Sequence, residues 1–129
     1  METPQIETTV ATMKAGDSAY VVSVGGELDL YSSPRLTAEL GALTADAAEV
    51  VLDLTDVTFM DSTALGSILA SARLLRDAGG RLSLVASGAS TRKLLALVGV
   101  DRVLPVYETA ERALEHLVGS VVLRRLEAG

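Results

Sequence analysis

Asp61-Ser62-Thr63 is a compact group of side chains able to do chemistry. It stands between a short apolar run, Val50-Val51-Leu52-Asp53-Leu54, and a segment whose Leu65, Ile68, Leu69, Ala72 and Leu75 recur at helical spacing. A serine or threonine hydroxyl at the start of a helix can accept a phosphoryl group. The helix N-terminus offers free N–H groups and about half a positive charge, so a phosphate on Ser62 can be held without unfolding the domain. Such a phosphate adds about -1.5 to -2 charges beside Asp61 and repels a partner that accepts the neutral hydroxyl. All three residues are also good helix N-caps, and the residues alone admit plain capping as well. Gly66 follows one turn into the helix, where glycine costs about 1 kcal/mol relative to alanine. With Thr63, Ser67 and Ala70 it forms a stripe of small side chains beside the apolar face. That stripe either packs under a neighbouring element or offers a docking face to another protein.

The elements expected around this group alternate between strand and helix. Ile6 to Met13 reads as a strand, Lys14-Ala15-Gly16-Asp17 as a turn and Ala19 to Val24 as the second strand of a hairpin closed by Gly25-Gly26. Ser33-Pro34 starts a helix through Leu36, Leu40 and Leu43, with Ser33 as the cap. Val50 to Leu54 reads as a strand covered on both faces, and Thr58 to Ser62 as the segment beyond its carboxyl end. The helix from Asp61 stops at Gly79-Gly80, Leu82 to Val85 is a strand, and Ser90 opens a third helix closed by Gly99. Val103-Leu104 forms a short last strand next to Pro105, and Thr109 caps a final helix with Leu114, Leu117 and Val118. A hairpin followed by βα units predicts an α/β domain with a mixed sheet of four to five strands packed with about four helices. Partner sites on such sheets lie beyond the carboxyl ends of the strands. Residues 1–129 are expected to form one domain, with a core over about 6–118 and a C-terminal extension over 119–129.

Composition narrows the classes. A chain of 129 residues buries roughly two-thirds of its unfolded surface and needs no staple. It has no cysteine, hence no disulfide or thiolate metal site. Eleven basic residues are scattered through a chain of net charge -6, with one Phe and no Trp, which argues against nucleic-acid binding. The apolar content of 49% contains no run long enough to span a membrane, and the N-terminus lacks a signal pattern, so a cytoplasmic protein without membrane insertion is expected. His116, the single histidine, lies among Arg112 and Glu115 and is expected to be solvated rather than catalytic. Neither a nucleophile–base pair nor a phosphate-loop spacing occurs, so no enzyme, cofactor or metal is expected. A response-regulator receiver needs a lysine after a late strand, whereas the lysines here are Lys14 and Lys93. A small-molecule sensor has room in the fold, but no residue specifies a ligand.

Asp61-Ser62-Thr63-Ala64-Leu65-Gly66 resembles the phosphorylation motif of STAS domains, in particular that of bacterial anti-sigma factor antagonists. Upstream, Gly26-Glu27-Leu28-Asp29 resembles the segment that follows the second strand in the same family. The resemblance covers roughly Ile6 to Leu117. Ala64 stands where many members carry glycine, a mild change that favours the helix. The resemblance implies a STAS-like fold and a partner switch. The unphosphorylated protein binds an anti-sigma factor that is also a serine kinase and so releases a sigma factor. Phosphorylation of Ser62 ends binding, and a serine phosphatase resets it. It further implies that Asp29 and Asp61 lie near the contact surface, that Thr63 is not the acceptor, and that the free protein is a monomer. Some members of the family are instead docking subunits of transport or stress-signalling assemblies, without a phosphorylation switch.

Overall fold

The computed structural model describes residues 7–117. Ile6, Val118, the N-terminal segment and the extension over 119–129 lie outside the described residues. Strand β1 (Thr9–Gly16) turns at Asp17-Ser18 into β2 (Ala19–Leu28). Helix α1 (Ser33–Thr44), strand β3 (Glu49–Met60), helix α2 (Ser62–Asp77), strand β4 (Arg81–Val85) and helix α3 (Ala89–Leu97) follow. A 3-10 turn over Val100–Arg102 then leads to β5 (Val106–Tyr107). A last helix, α4, covers 110–117 and is capped by Thr109, whose Oγ1 accepts from Arg112 N–H at 3.2 Å. The sheet order is β1-β2-β3-β4-β5, with β1 antiparallel to β2 and every other pair parallel. This is the mixed five-stranded α/β sheet with four helices that the alternation predicts.

Alternation along the strands divides the core. Val22, Val24, Val50, Leu52, Leu82 and Leu84 pack with Leu36 and Leu40 of α1, Leu65, Ile68 and Leu75 of α2, and Leu95 of α3. The opposite face carries Val21, Val51 and Val85 against Ala113 of α4, with Tyr107, Ala110 and Leu114 alongside. Val50, Val51 and Leu52 are each at most 1% exposed, which is why this central run shows no polar alternation in sequence.

Several boundaries differ from the sequence reading, mostly because pairing carries strands past turn-like residues. β1 runs through Lys14-Ala15-Gly16, so the turn shrinks to two residues. Gly25-Gly26 does not end β2: Gly25 pairs with both Thr9 and Asp56, and Gly26 takes a positive φ of 83° beside a register shift that keeps β2 on β3. β3 likewise continues to Met60 instead of ending at Leu54. Ser33 is the first residue of α1 rather than its cap. It is buried, and its hydroxyl donates to Asp29 O. Val103-Leu104 follows the 3-10 turn, and the last strand forms beyond Pro105. In α3 only Leu95 is buried, while Leu97 and Val98 face solvent.

Gly79-Gly80 stops α2 as expected. Gly79 takes φ 93° and donates to Arg76 O at 3.0 Å, while Gly80 N–H reaches back to Leu75 O at 2.8 Å. This is a Schellman closure, which satisfies the last carbonyls of the helix by backbone alone.

Candidate functional site

The site is made where β2 and β3 end side by side. Ala19 pairs with Glu49, an offset of 30 residues, but Leu28 pairs with Met60, an offset of 32. Two irregularities, each placing an extra residue in β3, account for the change. With the starting offset Asp29 would follow alongside Phe59. With the final one it lies beside Asp61, so the bulges bring the two motif aspartates together.

Asp61 is the only residue between β3 and α2, and every polar group it has is engaged. Its N–H donates to Leu28 O at 3.2 Å, and its carbonyl accepts from Leu65 N–H at 3.2 Å. Its Oδ1 accepts from Ala64 N–H at 2.9 Å, making it the N-cap of α2. Its Oδ2 accepts from Leu30 N–H at 3.0 Å. Asp29 secures the next two residues of the same loop: Oδ1 accepts from Tyr31 N–H at 2.9 Å and Ser32 N–H at 3.0 Å. Three consecutive amides, those of Leu30, Tyr31 and Ser32, are thus held by two carboxylates. The hydroxyl of Ser32 accepts from Asp29 N–H at 2.9 Å and lies within reach of Glu27 O and Asp29 Oδ1. These donors, led by the Ser32 amide, hold the Asp29 carboxyl below its ordinary value against an opposing effect of burial.

With Asp61 as cap, Ser62 and Thr63 become the first two helical residues, and both are exposed. Their N–H groups have no acceptor among the described residues. Gly66 and Ala70 are exposed and Ser67 is half-buried. A Cβ built at Gly66 meets nothing within 4 Å, so no described element packs against the helix at that position. Thr63, Gly66 and Ala70 therefore line the outer surface of α2 and lead away from Ser62, with Ser67 at its edge. Thr63, Gly66, Ser67 and Ala70 share this helix, and the strand ends bring Asp29 to it.

Three large apolar side chains stand on the segments that enter the site. Leu30 is 57% exposed, Tyr31 89% and Phe59 53%. The sequence reading did not single them out. Tyr31 beside Ser32-Ser33-Pro34 was the available signal, because an aromatic residue in a polar turn has no core to enter. His116 is exposed as expected, its ring centroid 5.0 Å from that of Tyr107. Among the described residues no group of three or more His, Cys, Asp or Glu side chains is placed to hold a metal, and no helix is long and apolar enough to cross a membrane.

A model of the STAS domain matches residues 10–113, nearly all of the described chain. The chain belongs to the STAS family. Among its STAS relatives is the anti-sigma-B factor antagonist of Staphylococcus aureus, 31% identical over 107 residues that cover 82% of this chain and 94% of that one. The Bacillus subtilis anti-sigma-B factor antagonist is 28% identical over 99 residues, covering 77% of this chain and 91% of its own. The crystal structure of an anti-sigma factor antagonist from Mycobacterium paratuberculosis superposes on this STAS domain with a TM-score of 0.77 at 34% identity, covering 85% of this chain and 93% of that one.

Proposed function

We propose that this STAS domain is an anti-sigma factor antagonist in which Ser62 is the phosphorylation switch. The observation that carries the reading is the exposure of Ser62 at the first turn of α2, fixed by the Asp61 cap and followed by the open surface of Thr63, Gly66 and Ala70. In the unphosphorylated state an anti-sigma factor with serine kinase activity docks along this surface. The absence of large side chains lets its backbone approach the helix, while Leu30, Tyr31 and Phe59 supply the apolar anchors from which interfaces draw most of their energy. The relatives that share this fold and length are named as antagonists of anti-sigma factors, which supports the same role here.

Transfer of a phosphoryl group from ATP to the Ser62 hydroxyl then places a dianion at the centre of the contact. The free N–H groups of Ser62 and Thr63 and the α2 dipole favour the phosphate locally. The partner, however, must bury it next to the Asp61 carboxylate. Moving a complex from mostly formed to mostly broken takes roughly 5 kcal/mol of differential affinity, within reach of an unpaired buried dianion. A serine phosphatase acting on phospho-Ser62 restores the binding form.

The test is a pull-down from the native lysate with wild-type and Ser62→Asp baits, followed by intact-mass analysis of wild type and Ser62→Ala after incubation with the captured kinase and ATP. The expected result is an ATP-binding kinase retained by wild type, lost by Ser62→Asp, and adding one phosphate to wild type but none to Ser62→Ala. If both baits retain the same transport or scaffold proteins, Ser62 is only a helix residue and the domain is a constitutive adaptor.

A further inference from the structure

At the far end of α2 from Ser62, a cleft of about 630 Å³ opens between the last turns of that helix, the start of β4 and the segment after the 3-10 turn. Its floor is apolar, built from Leu69, Leu82 and Pro105 among others, and its rim carries Arg73, Arg76 and Arg81. Among the described residues no acidic side chain lines it. In a chain of net charge -6 this is an unusual concentration of one sign. Arg92 shows what an arginine does here when an acid is near: it pairs with Glu108 at 2.6 Å. Arg73 and Arg76 make no side-chain hydrogen bond or ion pair with any described residue. Arg76, in the last turn of α2, complements the carbonyl end of the helix dipole. That explanation does not extend to Arg73, a turn earlier, whereas Arg81 on β4 lies opposite Glu49 in the sheet and shares a second, smaller pocket with it. The helix end itself is already closed by Gly79 and Gly80.

We propose that this cleft binds a small amphipathic anion, with its apolar body on the Leu69–Leu82–Pro105 floor and a phosphate or carboxylate group held by Arg73 and Arg76. The volume falls within the roughly 300–1,000 Å³ usual for small-molecule sites, which combine an apolar lining with a few convergent polar groups. Guanidinium groups suit this task, because their planar forks engage two oxygens of an oxyanion at once. Both arginines are exposed, so they reach a ligand without leaving the core and can be replaced without unfolding the domain. The site is separate from Ser62, and its test does not depend on any phosphorylation there.

The experiment titrates the full ¹⁵N-labelled chain with octyl phosphate below its micelle concentration, with octanoate, octyl glucoside and inorganic phosphate as parallel arms. Saturable shifts are expected at the amides of Arg73, Arg76, Gly80, Leu82 and Leu104. Octyl glucoside and inorganic phosphate should each bind at least about tenfold more weakly, and the stronger of octyl phosphate and octanoate identifies the head group. Arg73→Gln combined with Arg76→Gln should raise the Kd about tenfold or more at an unchanged melting temperature. The proposal is overturned by an absence of shifts, by shifts confined to residues 62–66, by octyl glucoside or inorganic phosphate binding as tightly as octyl phosphate, or by a double variant with the wild-type Kd.

Discussion

The two ends of α2 close in different ways, and the difference bears on what each end is free to do. At the N-terminus a side chain performs the closure: Asp61 caps Ala64 N–H and, with its second oxygen, ties the helix to Leu30. At the C-terminus the backbone does it, through Gly79 and Gly80. A carboxylate cap couples the helix start to a loop from another part of the chain, so Ser62, Tyr31 and the small-residue surface form one preorganised patch. A backbone closure draws on no side chain from another part of the chain, although Gly80 packs on the Ala47-Ala48 backbone, and it leaves Arg73 and Arg76 unengaged over an apolar cleft. The same sixteen-residue helix thus starts beside two engaged carboxylates and an exposed surface of small side chains, and ends at a cleft rimmed by arginines.

Substitutions graded by expected size can break this comparison. Ile68→Ala, in the buried middle of α2 at 1% exposure, should cost about 2–5 kcal/mol in urea unfolding and weaken both ends alike. Asp61→Ala removes the cap and the acceptor for Leu30 N–H, with an expected loss of about 1–2 kcal/mol. Asp61→Asn is the sharper probe: it keeps Oδ1 for Ala64 N–H but replaces the Leu30 acceptor with a donor. Amide exchange at Leu30 should therefore quicken while the helix start stays protected, and equal protection at both would mean the two ends are not tied differently. Gly79→Ala, at φ 93°, should cost about 1 kcal/mol through backbone strain and leave exchange at Leu30 unchanged.

Asp29 supplies the pH test. Its carboxyl is held low in the folded state, chiefly by the Ser32 N–H, so the unfolded chain takes up a proton first as pH falls. The stabilisation from the ionised form is complete above the ordinary carboxylate range, roughly pH 4 and upward, and is lost as pH drops through the lower folded value. The stability gap between wild type and Asp29→Asn should accordingly narrow on acidification from pH 6 to pH 2. A constant gap would mean that Asp29 holds Tyr31 and Ser32 equally well without its charge. Smallest of all, Arg76→Gln should change stability by less than about 0.5 kcal/mol, since its side chain has no partner among the described residues to lose.

Much of this architecture was legible before folding. The helical spacing from Leu65 to Leu75, the apolar run at Val50–Leu52, the stop at Gly79-Gly80 and the cap at Thr109 are local patterns. Each lies within a few residues of chain, where periodicity and φ preference act directly. The exceptions are equally local: Gly25-Gly26 and Lys14-Ala15-Gly16 have turn chemistry but are held in strands by pairing that no short window contains.

The sequence by itself determined the element types, the central buried strand, and the choice of Asp61 and Ser62 as the residues where a strand meets a helix. Only the tertiary structure decided that Asp29 stands beside Asp61, because two extra residues in β3 shift the register from 30 to 32. Only the tertiary structure gathered Arg73, Arg76 and Arg81 around one cleft with Pro105. The physical reason is common to both. Chain separation hides a contact whose geometry depends on how whole strands slide and cross, and a slip of one residue in a sheet moves every side chain to the opposite face.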